Sequence, residues 1–405
     1  MDAANSRTLR LDYLVPAAAK QVYRAFTHST ALREWMCDYA TAVARVGGRF
    51  YAAWNEGYYT SGYFTQLQED QVVAFYWFGR DDPGQTEVQI SLEERAGGTQ
   101  VTLLHSGFGA GSAWETAYSD IERGWNRALE NLVSVVGSGP DLRITQRPML
   151  GIMFSDFNAE IAKTIGVPVN EGTRLEGTLE GLGARAAGLQ KNDVIVDLDG
   201  QPVRGFDSFL PILSNLRAGE RVKVGYYRGL EKHEVEMLLA ARPLPTIPQA
   251  PRELAEAVRQ IYARQSAELM KVFEGASEQE ADFHPSETEW SAKEVLAHLI
   301  ISERNTNEFV VELASGFERV TDAFGEYLTG RVPAMAKTLP TLAAALAQYQ
   351  LAGEETISTL EILPDSLLAR KGSYWRLAYG MLTATYHLND HREQIAAALR
   401  AARSG

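Results

Sequence analysis

His387 and His391 stand four residues apart in Tyr386-His387-Leu388-Asn389-Asp390-His391, and His298 follows the apolar run Val295-Leu296-Ala297. If both runs are helical, the i, i+4 pair shares one face, and an antiparallel neighbour carrying His298 can meet it. Three neutral imidazoles suit zinc, nickel, iron or copper and leave at least one position for water or substrate. A metal held there would lower the pKa of a bound water towards ~7 or stabilise a thiolate, and either makes a nucleophile at neutral pH. Glu294, one turn before His298, and Asp390 and Glu393, flanking the pair, could orient a ligand or act as a base; solvated helix charge is the plainer account. A histidine on an amphipathic helix also often serves packing alone.

The elements that must position these side chains are legible. Ser291 and Glu294 form an S-x-x-E capping box, and Val295, Leu296, Leu299 and Ile300 supply the apolar side of the helix it starts, with His298 two turns in. Together with Trp290-Ser291, Glu294-Val295-Leu296, His298-Leu299, His387, His391 and Gln394-Ile395, the segment from about 250 to 402 resembles the DinB-like (DinB/YfiT) superfamily of four-helix bundles. The resemblance implies that His298, His387 and His391 bind a divalent metal at one end of the bundle, zinc or nickel first, with iron or manganese as alternatives. It also implies metal-dependent thiol transfer or isomerisation among the enzymatic members, many others having no assigned reaction. No catalytic residue and no other cofactor site is assigned.

At 405 residues the chain is too long for one ordinary core and implies two to four domains. An apolar content of 45% with 22% charged residues is that of a soluble globular protein. The net charge of −13 divides into −5 for residues 1–140, −1 for 141–245 and −7 for 246–405. No segment has the basic excess of a phosphate-backbone footprint, so no nucleic-acid partner is expected. Cys37 is the single cysteine and cannot form an intramolecular disulfide. The first twenty residues lack the apolar core of a signal peptide, and no run approaches the ~18 apolar residues of a membrane span. Cytoplasmic residence is the expectation.

The pattern changes character at the breaker-rich Gly137-Ser138-Gly139-Pro140 and again at the proline-punctuated run from Arg242 to Pro248. Domains are expected at 1–140, 143–245 and 250–405. In the first, helix signals at Ala17–Phe26 and near Trp35 precede strand-like alternation at Arg49–Trp54, Gly57–Gln66, Val72–Phe78, Glu87–Glu93 and Thr99–His105. Ile121, Trp125, Leu129, Leu132 and Val136 then recur at helical spacing in Ala113–Val136. A curved antiparallel sheet gripping a long helix follows, with room for a cavity between them. Most of the aromatics Trp54, Tyr58, Tyr59, Phe75, Tyr76, Trp77 and Phe78 are expected in the core. His28 and His105 have no partner pattern for acid-base work.

Val15-Pro16-Ala17, Val22-Tyr23-Arg24-Ala25-Phe26, Trp35, Gly47-Gly48-Arg49-Phe50, Gly62-Tyr63 and Gly124-Trp125 make residues 8–137 resemble the START-like SRPBCC superfamily, in particular the group of homologues of the activator of heat-shock-protein-90 ATPase. The resemblance implies an α+β helix-grip domain and a small hydrophobic ligand.

In the middle segment, Ala184–Ala187 reads as a short helix ended by Gly188, Val194-Ile195-Val196 as a buried strand, and Asp199-Gly200 as a hairpin turn. With Pro148-Met149-Leu150-Gly151-Ile152 and the run Gly181 to Val203, residues 146–242 resemble bacterial PDZ domains, mainly β in fold. Asn192 stands where relatives usually carry glycine, and asparagine tolerates left-handed backbone angles. The resemblance implies that a protein C-terminal or internal peptide adds as a strand, its carboxylate held by the loop Met149, Leu150, Gly151, Ile152. The expected helix Phe206–Leu216 would supply apolar walls through Phe209, Leu213 and Leu216. The G-x-S-x-G nucleophile motif is absent.

Two function classes remain open: a metalloenzyme using the three histidines, with thiol transfer as its reaction, and a non-enzymatic adaptor or stress-related ligand-binding protein using the PDZ groove for protein tails.

Overall fold

The computed structural model describes residues 7–213, 216–319, 327–383 and 386–404, with the side chains of Leu210, Tyr386 and His387 outside that description. The N-terminal domain runs β1 (Arg7–Val15), α1 (Ala19–Thr27), α2 (Ser29–Trp35), β2 (Tyr39–Ala42), β3 (Arg49–Ala53), β4 (Tyr59–Gln68), β5 (Val72–Gly79), β6 (Thr86–Arg95), β7 (Gly98–Phe108) and α3 (Ser112–Gly137). Its seven strands form one antiparallel sheet in the order β1-β7-β6-β5-β4-β3-β2. Side chains alternate across a pleated strand, so β5 turns Phe75 and Trp77 into the core and Tyr76 and Phe78 outward. Of the seven aromatics, most of them expected in the core, Phe75 and Trp77 are buried, Trp54 and Tyr58 pack partly buried against it, and Tyr59, Tyr76 and Phe78 are exposed. Tyr118, Ile121, Trp125, Leu129 and Leu132 of α3 bury against the inner face, each large side chain worth roughly 1.5–3 kcal/mol.

His105 lies in that core, fully enclosed. Trp125 Nε1–H donates to its Nδ1 at 3.0 Å, which fixes the neutral tautomer with the proton on Nε2. Nε2 then donates to Thr86 Oγ1 at 2.7 Å, and the Thr86 hydroxyl donates onward to the Trp77 carbonyl at 3.2 Å. The histidine is a satisfied core residue, and burial lowers its pKa from 6.5 to about 3.

Residues 140–244 form a separate compact unit. It contains α4 (Leu142–Thr145), β8 (Pro148–Met149), β9 (Ile152–Ser155), α5 (Ala159–Ile165), β10 (Thr173–Thr178), α6 (Gly183–Ala186), β11 (Val194–Leu198), β12 (Gln201–Pro202), α7 (Phe209–Leu213), β13 (Arg221–Arg228), β14 (Glu231–Leu238) and β15 (Ala240–Ala241). The main sheet runs β14-β13-β11-β10-β9, with β12 on β11. Asp199 and Gly200 both have positive φ in the β11–β12 hairpin, and Asn192 holds φ +70°. The buried carboxylate of Asp193 fastens the adjoining turn, accepting from Arg228 at 2.8 and 2.7 Å and from the Gln190 amide at 2.7 Å. The expected helix Phe206–Leu216 divides: residues 206–208 form a 3-10 turn and α7 starts at Phe209. Pro211 accounts for this, since proline is accommodated in a helix's first turn but not in its interior.

The helical domain comprises α8 (Pro251–Val272), α9 (Glu278–Asp282), α10 (Ala292–Ser315), α11 (Leu328–Lys337), α12 (Leu342–Glu361), α13 (Asp365–Leu368), α14 (Lys371–Thr383) and α15 (Tyr386–Ser404). The long helices α8, α12, α10 and α15 pack in cyclic order, each against two others. Two apolar clusters fill them, one including Leu269, Leu296, Ile300 and Ile395, the other Leu254, Val310, Leu360 and Leu377.

The N-terminal and helical domains belong to one compact unit, with α14 packed on α2 and α3. At their contact the Ser373 hydroxyl donates to the buried Glu34 carboxylate. Burial raises the Glu34 pKa, opposed by the Ser373 bond and then by the charges of Arg24, Arg376 and Arg370. Arg370 also donates to the Leu313 and Ala314 carbonyls at 2.7 and 3.0 Å, and Arg24 to that of Gly316 at 3.2 Å, satisfying the C-terminal end of α10. Beside them Glu318 bridges Arg33 at 3.2 Å and Arg376 at 2.6 Å. A Cβ on Gly372 would come within 2.4 Å of Val135, so the close approach of α14 to α3 requires glycine there.

Two measurements check this account. Glu34→Gln keeps an acceptor for Ser373 but leaves Arg24 and Arg370 without their shared anion; urea unfolding should show a loss of about 3 kcal/mol, and an unchanged midpoint would refute the network. The second concerns pH. Folded His105 resists protonation down to about pH 3, whereas an unfolded histidine protonates near 6.5. The unfolded chain therefore binds the extra proton between those values, and stability should fall as pH drops through that window by about 1.4 kcal/mol per pH unit for this group. His105→Gln should remove about one proton from the measured slope; an identical slope in the variant would assign the effect elsewhere.

Candidate functional site

Ser291 and Glu294 make the expected capping box in full: the Ser291 side chain accepts from the Glu294 amide at 3.2 Å, and Glu294 Oε2 accepts from the Ser291 amide at 3.1 Å. Glu294 Oε2 also takes a hydrogen bond from His284 Nε2 at 2.8 Å. Both duties hold its carboxylate at the start of α10 as a structural group. Asp390 and Glu393 are exposed.

His298 of α10 and His391 of α15 come together with ring centroids 4.7 Å apart, edge to face, and Trp290 packs against His298 at 5.3 Å. His391 Nδ1 lies 2.9 Å from Gln394 Oε1, one turn on. Since Gln Oε1 can only accept, this contact places the proton on Nδ1. This is the orienting arrangement that metal-bound histidines use, so the residues present fit a divalent metal. Gln394 was within reach of sequence reasoning, because i, i+3 spacing places it beside His391. His387 lies one turn before His391 on α15, and its side chain is outside the described residues. Among the described residues no group of three possible ligands is assembled.

The expected peptide site falls on the loop before β9. Leu150 is buried, and its carbonyl accepts from the Ala184 amide at 3.1 Å; the Gly151 carbonyl accepts from Leu179 at 2.8 Å. These bonds pin the carbonyl side of the loop. The amides of Leu150 and Gly151 have no acceptor among the described residues. Gly151 has φ +76°, a conformation that favours glycine. A turn of this kind, with consecutive free N–H groups, is an anion-binding device.

β9 ends the sheet path, so its outer edge faces no strand among the described residues. Phe209 is 1% exposed and belongs to the core of the unit, which leaves Ile152, Leu213 and Leu216 as partly accessible apolar positions. Phe154 of β9 and Phe206, before α7, stack with centroids 3.8 Å apart and join strand to helix, a contact that alternation on β9 alone does not predict.

In the N-terminal domain, the space between sheet and α3 is packed with Trp77, His105, Phe108 and Trp125. No helix among the described residues is long and apolar enough to cross a membrane.

Residues 16–137 match the family model described as Activator of Hsp90 ATPase homolog 1-like protein, residues 148–239 that of the PDZ domain, and residues 261–395 that of the DinB superfamily. The periplasmic pH-dependent serine endoprotease DegQ of Escherichia coli is 32% identical over 94 residues, 23% of this chain and 21% of its own length. A probable periplasmic serine protease do/HhoA-like from Haemophilus influenzae is 30% identical over 96 residues, covering 24% and 21%. The chain thus spans about a fifth of the length of these curated relatives. Among solved structures, the Aha1 dimer from Colwellia psychrerythraea is 19% identical, covering 32% of this chain and 96% of that one, with a TM-score of 0.30. Protein MLL2253 from Mesorhizobium loti is 20% identical with the same coverage and TM-score. In sequence order, the chain joins a domain of the Hsp90-ATPase-activator-homologue type, a PDZ domain and a DinB-superfamily domain.

Proposed function

We propose that this protein captures the C-terminal tails of other proteins through its PDZ unit and carries a divalent-metal centre in its helical domain. The observation that carries the first part is the pair of free amides at Leu150 and Gly151 beside the open edge of β9. A tail adding to that edge would make main-chain bonds along β9, set its terminal carboxylate on the two amides, and turn its last side chain towards Ile152, Leu213 and Leu216. The partner is therefore a protein ending in an apolar residue. Cys37 is a buried thiol outside any disulfide, which supports a cytoplasmic setting.

In the helical domain, His298 and His391 would hold the metal through neutral imidazoles, with His387 as the expected third ligand. Gln394 holds the His391 proton on Nδ1 and so orients the ring. A bound zinc or nickel would act as a Lewis acid, supplying an activated water or thiolate at its open position. Thiol transfer is the reaction we infer, and it rests on the juxtaposition of His298 and His391.

Each part has its own test. Full-length protein titrated with fluorescent peptides ending in Val, Leu or Phe should bind, and amidating the peptide terminus should weaken binding by about tenfold or more; equal affinity for acid and amide would dismiss the carboxylate site. For the metal, elemental mass spectrometry of protein loaded with zinc or nickel should find near-stoichiometric ion in the wild type. The His298→Ala, His391→Ala double variant should lose it together with any thiol-conjugation activity. Retention of metal by the variant, or a wild type that cannot be loaded, would refute the centre.

A further inference from the structure

A second feature of the helical domain lies on α8, α10 and α12, and the histidine pair does not use it. A cavity of about 450 Å³ opens between these helices. Its apolar wall comes from Ala263, Ala267, Met270 and Ile357, and Tyr262, Tyr349 and Glu303 line its polar side. Gly353 leaves room for the Tyr262 ring, which a Cβ there would approach to 3.0 Å.

Glu303 is the unusual member. The Tyr262 hydroxyl lies 2.9 and 3.1 Å from its two carboxylate oxygens, and the Thr356 hydroxyl donates to Oε1 at 2.6 Å. Both hydroxyls act as donors, the pattern of an ionised acceptor. Burial nevertheless pushes the Glu303 carboxyl above its ordinary range, with the Thr356 and Tyr262 bonds opposing it, and the Tyr262 and Tyr349 phenols are driven well above theirs. No cation among the described residues lies within ion-pair distance of Glu303. Arg259, at the cavity rim, is taken up by Glu256 at 3.3 Å and Glu361 at 2.9 Å. A carboxylate removed from water without a countercharge is costly, and an entering cation offsets that cost.

We propose that this cavity is a binding site for a small amphipathic amine. Its ammonium pairs with Glu303 and lies against the phenol rings of Tyr262 and Tyr349, while its apolar body covers Ala263, Ala267 and Ile357. Aromatic faces attract cations, and a cavity of this size is ordinary for small organic ligands. An anion finds no uncommitted positive charge on the wall, and a neutral ligand leaves the carboxylate uncompensated.

The probes are phenethylammonium and its neutral analogue 2-phenylethanol, titrated into the full chain by isothermal calorimetry. Phenethylammonium should bind saturably in the millimolar range or tighter, at least about tenfold better than the alcohol. Glu303→Gln, which keeps the side-chain shape and an acceptor for Thr356 and Tyr262, should erase that preference. Absence of saturable amine binding overturns the proposal, as does equal affinity for amine and alcohol. The comparison of probes on the wild-type chain stands even where the variant does not fold. Metal content should not change on amine binding, which separates this site from the histidine pair.

Discussion

The carboxylate of Glu34 holds together two domains that sequence keeps far apart. Its partner Ser373 is 339 residues away along the chain, and the whole PDZ unit is encoded between them. A buried anion must be compensated or protonated, so the contact is built around it: Ser373 donates to it, and Arg24, Arg370 and Arg376 surround it. Two of those arginines also close the C-terminal end of α10, the helix that carries His298 and Glu303. The geometry of both proposed sites in the helical domain thus rests on a helix whose end is fastened by the neighbouring domain.

Three titratable groups taken wholly or partly out of water show three answers to the same electrostatic demand. His105 stays neutral, because Trp125 and Thr86 satisfy both ring nitrogens without a charge. Glu34 is surrounded by guanidinium groups. Glu303 has hydroxyl donors but no cation among the described residues, beside an accessible cavity. The first two answers are complete within the fold. The third becomes complete with a cationic ligand, which is why Glu303 reads as a binding residue while His105 and Glu34 read as structure.

The PDZ unit applies backbone chemistry to recognition. Its carbonyls at Leu150 and Gly151 are bound within the unit while the amides have no acceptor among the described residues, so the loop is held on one side and receptive on the other. The helical domain uses side chains for the same end: a capping box sets the phase of α10, and that phase turns His298 towards α15. Glu294 belongs to the scaffold for this reason. Its place in the capping box and its bond to His284 commit both of its functions to holding the helix start.

The sequence by itself determined three domain types and their order, most strands of the first domain, the capping box at Ser291, and the left-handed turn at Asn192. These are local properties: alternation, helical periodicity and backbone preference act within a few residues, so they can be read in one dimension. It also singled out His387 and His391 as a pair, with His298 as a third candidate ligand. Tertiary structure alone decided that the rings of His298 and His391 meet at 4.7 Å. It decided as well that His105 is sealed in a hydrogen-bonded core and that Glu303 meets the Tyr262 hydroxyl beside a cavity. Nothing local in the sequence sets Glu303 apart from a helix-surface acid, because its removal from water depends on the packing of α8 and α12 against α10. Desolvation is a property of the assembled surroundings, and no local pattern carries it.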